Sequence, residues 1–111
     1  MKKLSLTALG REHLETANRV ASGRSASTVY GGHEQVLRQT VIALTAGQEL
    51  DDHVNPGEAT VMVLKGRICL VAEQQKWEGR DQDLIVVPPG VNSVQAIEDS
   101  VLLLTVAKLD R

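Results

Sequence analysis

The chain of 111 residues has the length of one domain, and we expect a single domain over residues 1–111. Its hydrophobic (42%) and charged (23%) fractions are ordinary for a globular domain, and a net charge of −2 without a basic stripe argues against nucleic acid as a partner. Trp77 and Tyr30 are the only aromatic residues, so the core must consist of aliphatic side chains. No apolar run approaches the ~20 residues that cross a bilayer, so we expect no membrane association.

Two features of the sequence favour a cytoplasmic location. The start, Met1-Lys2-Lys3-Leu4, is not followed by the long apolar stretch of a signal peptide. The single cysteine, Cys69, has no partner for an internal disulfide, which is typical of a reducing compartment. We expect Cys69 to serve as a small hydrophobic residue within a strand or an interface.

One helix is predicted near the amino terminus, over residues 5–21. Small and apolar residues recur there at a spacing of about 3.6 residues, and charged residues occupy the other side. Either Ser5 or Thr7 could cap its first turn. His13 lies in the middle of the apolar stripe, so we expect it to pack between the helix and the rest of the domain. The segment Ser22-Gly23-Arg24-Ser25 is expected to end the helix and begin a loop.

The remainder, residues 26–111, is predicted to be a β-barrel that follows a helix and linker in residues 1–25. Short β-branched runs alternate there with Gly, Pro, Asn and Asp, which is typical of a sandwich or barrel. No second long helix follows, which argues against a βαβ fold. The predicted strands cover residues 27–30, 36–45, 59–64, 67–72, 75–78, 83–87, 93–96 and 101–108.

Two segments carry a more specific pattern. The first extends from Gly47 to Gly66 and contains His53; the second begins at Asp83 and continues into Pro88-Pro89-Gly90. Together they resemble the two sequence motifs of the cupin family, in particular its small single-domain members. The resemblance covers residues 36–108 and implies an all-β jelly roll, also called a double-stranded β-helix, with the helix packed outside. It implies no single function, because this barrel supports many chemistries.

The resemblance also assigns four positions at the mouth of the barrel. Metal-binding cupins use two histidines and a glutamate from the first motif and a histidine from the second, and those positions here are His53, Asn55, Ala59 and Asn92. Alanine has no donor atom, and one imidazole with two amides suits a transition metal poorly. Glu58 cannot replace the glutamate, since neighbouring strand residues point to opposite faces. The resemblance therefore implies a degenerate metal site, and we expect no metal and no other cofactor.

The same four residues are the predicted pocket residues. His53 could bind a ligand or move a proton, or it could be a residual histidine bonded to an asparagine. Asn55 could line the pocket or open the turn before Pro56, and Asn92 could line the pocket or cap a turn. Asp51-Asp52 could fix the His53 tautomer, or they could be a solvated acid pair in a loop.

Three functions are compatible with these residues. The favoured one is a metal-independent module that binds a small molecule. The second is a cupin enzyme, either an isomerase that uses His53 as acid and base or a metal-dependent oxygenase with an atypical site. The third is a structural or regulatory protein with an empty barrel. No catalytic residue can be assigned, because no nucleophile has a partner in a known motif, and the balance is against an enzyme.

We also predict a homodimer. The segments 36–45 and 101–107 carry apolar residues on both faces, whereas a half-exposed strand would alternate. One face can fill the barrel, and the single stripe of the helix can cover only part of the other, so a two-fold pairing of identical patches would cover the rest. Trp77 is expected to cover a barrel end or the dimer seam, and His33 is expected in a solvated turn.

Overall fold

The computed structural model of the chain describes residues 2–54 and 57–108, with the backbone alone for residues 52–54. Within these residues one helix precedes nine strands. The helix is α1 (Leu6–Arg19), and the strands are β1 (Arg24–Tyr30), β2 (Leu37–Leu44), β3 (Glu49–Val54), β4 (Gly57–Lys65), β5 (Arg67–Ala72), β6 (Gln75–Arg80), β7 (Leu84–Val87), β8 (Val91–Ala96) and β9 (Ser100–Lys108). They form two antiparallel sheets in the orders β1-β2-β9-β4-β7 and β3-β8-β5-β6, which confirms the predicted jelly roll.

The helix begins and ends close to its predicted limits. Ser5 is the N-cap, because its side chain accepts a hydrogen bond from the Ala8 amide at 3.1 Å. The backbone leaves the helix at Val20, whose N–H still donates to the Thr16 carbonyl. No helix in the described part of the chain is long and apolar enough to cross a membrane.

The strand predictions are confirmed to within three residues at each end, with one exception. β3 was not predicted, because its sequence ELDDHV is mostly polar and aspartate is depleted in strands. The expectation that Asp51-Asp52 form part of a loop is wrong, since both lie within β3. β3 is an edge strand that pairs only with β8, so its acidic residues need not enter the core.

The space between the two sheets is filled by aliphatic side chains, as the scarcity of aromatic residues predicts. Leu44, Ile68, Leu70 and Leu102 are almost completely buried there. The remaining buried members of this core come from both sheets: Ile42, Ala59, Val61, Val63, Ala72, Val87, Val94, Ala96 and Val106. The two sheets therefore face each other across one core.

A second, smaller core lies outside the barrel, under α1. Ala17 packs there with Val41, Ala43 and Val101, which are outward-facing residues of β2 and β9. The helix approaches closely at Gly10, where an added Cβ would lie 2.9 Å from Val101 Cγ1. The prediction that β2 and β9 are apolar on both faces is confirmed.

Polar bonds add to this packing at the edge of the sheet. His13 Nδ1 lies 2.7 Å from Ser25 Oγ, and His13 Nε2 lies 2.8 Å from Ser27 Oγ, so both ring nitrogens bind β1. His13 therefore connects the helix to the sheet, as its place in the stripe predicts. His33 is exposed in the bend after β1, also as predicted.

The other two residues singled out in the sequence occupy the four-stranded sheet. Trp77 lies opposite Leu70 on the edge strand β6 and is 39% exposed, so it partly covers an open edge of the barrel. Cys69 is a free thiol of intermediate burial on β5 and lies outside the barrel core.

Candidate functional site

Two rows of paired residues define one end of the barrel interior. In the five-stranded sheet the row is, in strand order, Arg38, Val106, Ala59 and Val87. In the four-stranded sheet it is His53, Asn92, Ala72 and Gln75. The chain passes from Val87 to Asn92 through only four residues, so both rows lie at the same end. We call this end of the barrel, made of these eight residues, the Asn92 end.

Asn92 is the buried polar residue of this end. It is only 4% exposed, and its register neighbour Ala72 belongs to the barrel core. Its Nδ2 atom is buried and has no hydrogen-bond partner among the described residues. A buried donor without a partner costs about 1–3 kcal/mol of stability. Asn92 therefore points into the barrel interior, where its Nδ2 has no partner among the described residues.

Ala59 lies across the interior on β4. It is 8% exposed and belongs to the barrel core, between Val106 and Val87 in its row. Glu58 is exposed and is paired with Ala107, one position out of that row. The structure thus places a methyl group at the interior position and its neighbouring carboxylate on the other face, as the strand alternation predicts.

The backbone register places His53 opposite Asn92. Leu50 and His53 are three residues apart, whereas their partners Val94 and Asn92 are two apart, so β3 contains a bulge between them. The bulge brings position 53 into the row of Asn92. Asn55, the remaining predicted pocket residue, lies outside the described residues.

The donors described at this end do not fit a transition metal. Among the side chains that the structure describes, those of residues 2–51 and 57–108, no three or more His, Cys, Asp or Glu form a group that could hold an ion. Of the positions that the resemblance assigns to ligands, Ala59 has no donor and Asn92 offers a neutral amide. We therefore derive no chemistry through a metal.

Arg38 adds a cation to the Asn92 end. It lies near the start of β2, opposite Val106, whose side chain belongs to the barrel core. Residues directly opposite each other in an antiparallel pair share a face, so Arg38 occupies an inner-face position at the open end. Its side chain is exposed and forms no ion pair or hydrogen bond with any residue that the structure describes. Sequence reasoning missed it, since only the register relates residue 38 to residues 59 and 92.

A separate groove lies outside the barrel, between α1 and the five-stranded sheet. It encloses about 630 Å³. Its apolar floor consists of Leu6, Gly10, Leu14, Leu64 and Val101. None of the predicted pocket residues lines it. In the sequence, the groove is indicated only by Gly10, a glycine within the apolar stripe of the helix.

The solved structures that are similar to this chain include cupins and a protein of unknown function. A conserved protein of unknown function from Streptococcus pyogenes is 26% identical, with a TM-score of 0.76 over 99% of this chain and 90% of that one. An RmlC-like cupin from Desulfovibrio desulfuricans is 24% identical, with a TM-score of 0.67 over 76% of this chain and 81% of that one. The chain therefore has the small cupin fold that its two motifs predict.

A further similar structure is an enzyme. Salicylate 1,2-dioxygenase from Pseudaminobacter salicylatoxidans is 21% identical, with a TM-score of 0.75 over 90% of this chain. This chain spans only 33% of the dioxygenase chain, so the likeness concerns the fold of one part of that enzyme. No family model and no curated protein matches the sequence.

Proposed function

We propose that this chain is a metal-independent cytoplasmic module that binds a small molecule at the Asn92 end of its barrel. The observation that carries the proposal is the buried Nδ2 of Asn92, which has no hydrogen-bond partner among the described residues. Buried polar groups in folded proteins nearly always have a partner, so an exception suggests a group that a ligand completes.

The neighbouring positions favour a binding role over that of an empty structural barrel. Val94 and Ala96 follow Asn92 on the same face of β8, and both are aliphatic members of the core. An aliphatic residue at position 92 would continue this pattern without an unpaired donor. The retained amide therefore supports recognition of a ligand as its purpose.

The same positions favour binding over catalysis. Acid–base chemistry by His53 would need a second titratable group of suitable pKa at this end. Apart from position 53, the only charged residue in the two rows is Arg38, whose guanidinium carries hydrogen-bond donors and no acceptor. With Ala59 in place of a carboxylate, we propose that the module also lacks the metal of the cupin oxygenases.

The proposal predicts that a ligand perturbs the Asn92 side chain. The ¹⁵N-labelled, chelator-treated protein is titrated with small molecules that carry a hydrogen-bond acceptor, and the side-chain NH₂ resonances are followed. We expect saturable shifts at Asn92, because its Nδ2 gains an acceptor. The exposed amide of Asn18, whose Nδ2 already donates to the Leu14 carbonyl at 2.9 Å, is the internal control. Shifts of equal size at both amides, or none at Asn92, would contradict the proposal.

We also propose that the module forms a homodimer through the part of the five-stranded sheet that α1 leaves uncovered. Leu84 and Val86, on the edge strand β7, are 62% and 71% exposed, and Leu37 on β2 is 39% exposed. The face spans five strands and about five residues along them, or roughly 24 Å by 17 Å. That is a flat area of roughly 400 Å², about half of the ~800 Å² per partner of a standard interface. A second copy would cover both the apolar residues and the open edge.

Sedimentation velocity over a wide concentration range tests the dimer. We expect the wild type to sediment as twice its 12.0 kDa mass, and Val86→Lys to sediment as a monomer because it places a charge in the apolar interface. The matched control is Val20→Lys, which changes a valine that is 42% exposed just after α1. A wild type that stays near 12.0 kDa at high concentration would refute the dimer.

A further inference from the structure

The groove between α1 and the five-stranded sheet is long and narrow, with an apolar floor. Its helix wall extends from Leu6 to Asn18, which corresponds to about 18 Å at a rise of 1.5 Å per residue. A volume of about 630 Å³ over that length leaves a mean cross-section of roughly 35 Å². The volume is that of a small-molecule site, and the elongated shape favours a thin, extended occupant.

A hydrocarbon chain fits this groove better than a peptide does. An α-helix with its side chains is about 10–12 Å in diameter, which is a cross-section of roughly 80 Å² or more. An extended peptide needs the unpaired backbone of an edge strand beside it. Leu64 and Val101, on the sheet side of the groove, belong to β4 and β9, which are central strands of their sheet. A hydrocarbon chain needs neither the width nor a backbone partner.

Contacts outside the groove fix its two walls independently of any occupant. On α1, His13 does not line the groove, and its ring binds two serine hydroxyls of β1. On the opposite wall the Gln82 N–H donates to the Val63 carbonyl at 2.6 Å, and the Asp81 carboxylate accepts from the Gly66 amide. A preformed groove spares a ligand the cost of ordering the protein.

The charges at the rim are only partly matched within the protein. Arg11 on α1 and Lys65 at the end of β4 line the groove, and neither side chain forms an ion pair or hydrogen bond with a described residue. Two acids also line it. Asp81 already accepts a hydrogen bond from the turn between β4 and β5, and Glu15 lies four residues from both Arg11 and Arg19. The unmatched charge is therefore positive, and its complement is an anion.

We infer that the groove beside α1 binds a single-chain alkyl carboxylate, with its hydrocarbon chain along the leucine and valine floor and its carboxylate at the rim beside Arg11 and Lys65. The two carboxylate oxygens can accept from both cations. The site is separate from the Asn92 end, because no described residue of that end lines the groove. Leu84 and Val86 of the proposed dimer face do not line it either.

Titration with octanoate and decanoate, below their micelle-forming concentrations, tests the hydrocarbon part. The backbone amide of Gly10 on the groove floor is the reporter in ¹⁵N-labelled protein, and the Gly90 amide and the Asn92 side chain are controls near the barrel interior. We expect saturable shifts at Gly10 and about fifteenfold tighter binding of decanoate, or about fourfold per buried methylene. Equal affinities for the two acids, or shifts confined to Gly90 and Asn92, would overturn the inference.

Changes of charge test the carboxylate. Decanol and decyltrimethylammonium should each bind about threefold or more weakly than decanoate. Arg11→Gln and Lys65→Gln should each weaken decanoate binding about threefold, the scale of an exposed ion pair, whereas Arg19→Gln on the same helix should leave it unchanged because Arg19 does not line the groove. Tighter binding of the cation than of the acid, or equal losses in the three variants, would contradict the inference.

Two tryptophan variants test the location. Glu12 and Glu15 are both exposed on α1, but only Glu15 lines the groove. In Glu15→Trp the indole should occupy part of the groove and weaken decanoate binding about tenfold, whereas Glu12→Trp should bind decanoate as the wild type does. If the two variants bound decanoate equally well, the acid would bind elsewhere and the inference would be wrong.

Discussion

Replacement of Asn92 by leucine should raise the free energy of unfolding by about 1–2 kcal/mol, because a buried unpaired amide is exchanged for an apolar group of similar shape. The same change should abolish ligand binding, since it removes the donor. Most substitutions of buried residues destabilise a protein, so a gain in stability together with a loss of binding would mark Asn92 as a functional residue. Urea unfolding gives the stability, and the resonances of the neighbouring backbone amides report binding.

The control for this variant is Asn18→Leu, which alters an exposed asparagine on α1 whose side chain bonds the Leu14 carbonyl. We expect it to change stability by no more than about 0.5 kcal/mol and to leave binding intact. If Asn92→Leu were less stable than the wild type, Asn92 would have a structural partner and the main support for the binding site would be lost.

The largest loss of stability is expected for Gly66→Ala, in the turn between β4 and β5. Gly66 has φ +103°, a conformation that residues with a side chain rarely adopt, and an added Cβ would lie 2.5 Å from the Asp99 carbonyl oxygen and 2.8 Å from Ser100 Cα. Backbone cannot move aside as a flexible side chain does. We expect Gly66→Ala to lower the free energy of unfolding by about 3 kcal/mol or more, because backbone strain and steric overlap add together.

The hydrogen bonds of Ser100 make the protein sensitive to any shift of the turn at Gly66. Its hydroxyl is fully buried, donates to the Glu98 carbonyl at 2.7 Å, and accepts from the Arg67 amide at 3.0 Å, so a shift of the turn would also break these bonds. Gly47→Ala is the matched control, because Gly47 also has a positive φ, +89°, but an added Cβ would meet nothing within 4 Å. We expect Gly47→Ala to lower the free energy of unfolding by about 1–2 kcal/mol, because only the backbone strain of a positive φ is added. Equal losses in the two variants, measured by chemical unfolding, would show that the overlap at Gly66 relaxes freely.

Most of the fold follows from local sequence signals. Glycine and proline punctuate the strands, so the turns were predicted where the backbone requires them, and β5 was predicted with the bounds it has. β3 was missed, because its acidic residues are tolerated only at an edge that pairs on one side, and pairing partners are not visible in a single segment. The cupin resemblance predicted the interior positions of Ala59 and Asn92 but not their surroundings.

The chemistry of the candidate site depends on relations between distant strands. Asparagine is a residue type that is common in turns, so the sequence alone does not place Asn92 in a strand. The pairing of β8 with β5 shows that Asn92 lies within a strand, opposite buried Ala72. Arg38 is an ordinary charged residue in the sequence, and its position at the same end follows from the registers of β2, β9 and β4. The bulge in β3 that aligns His53 with Asn92 is likewise recognisable only from the pairing of β3 with β8.

We propose that a small molecule binds at the Asn92 end without a metal. The most direct test is the dissociation constant of the small molecule that shifts the Asn92 resonances most, measured by calorimetry on protein never exposed to a metal-affinity column. It is measured once in chelator and once with a slight excess of iron(II), manganese(II), nickel(II) or zinc(II). We predict the same constant to within about twofold in every condition, because the described donors are an amide and a guanidinium, which are poor metal ligands. Binding that appears only after one of these ions is added, with about one ion retained per chain, would contradict the account.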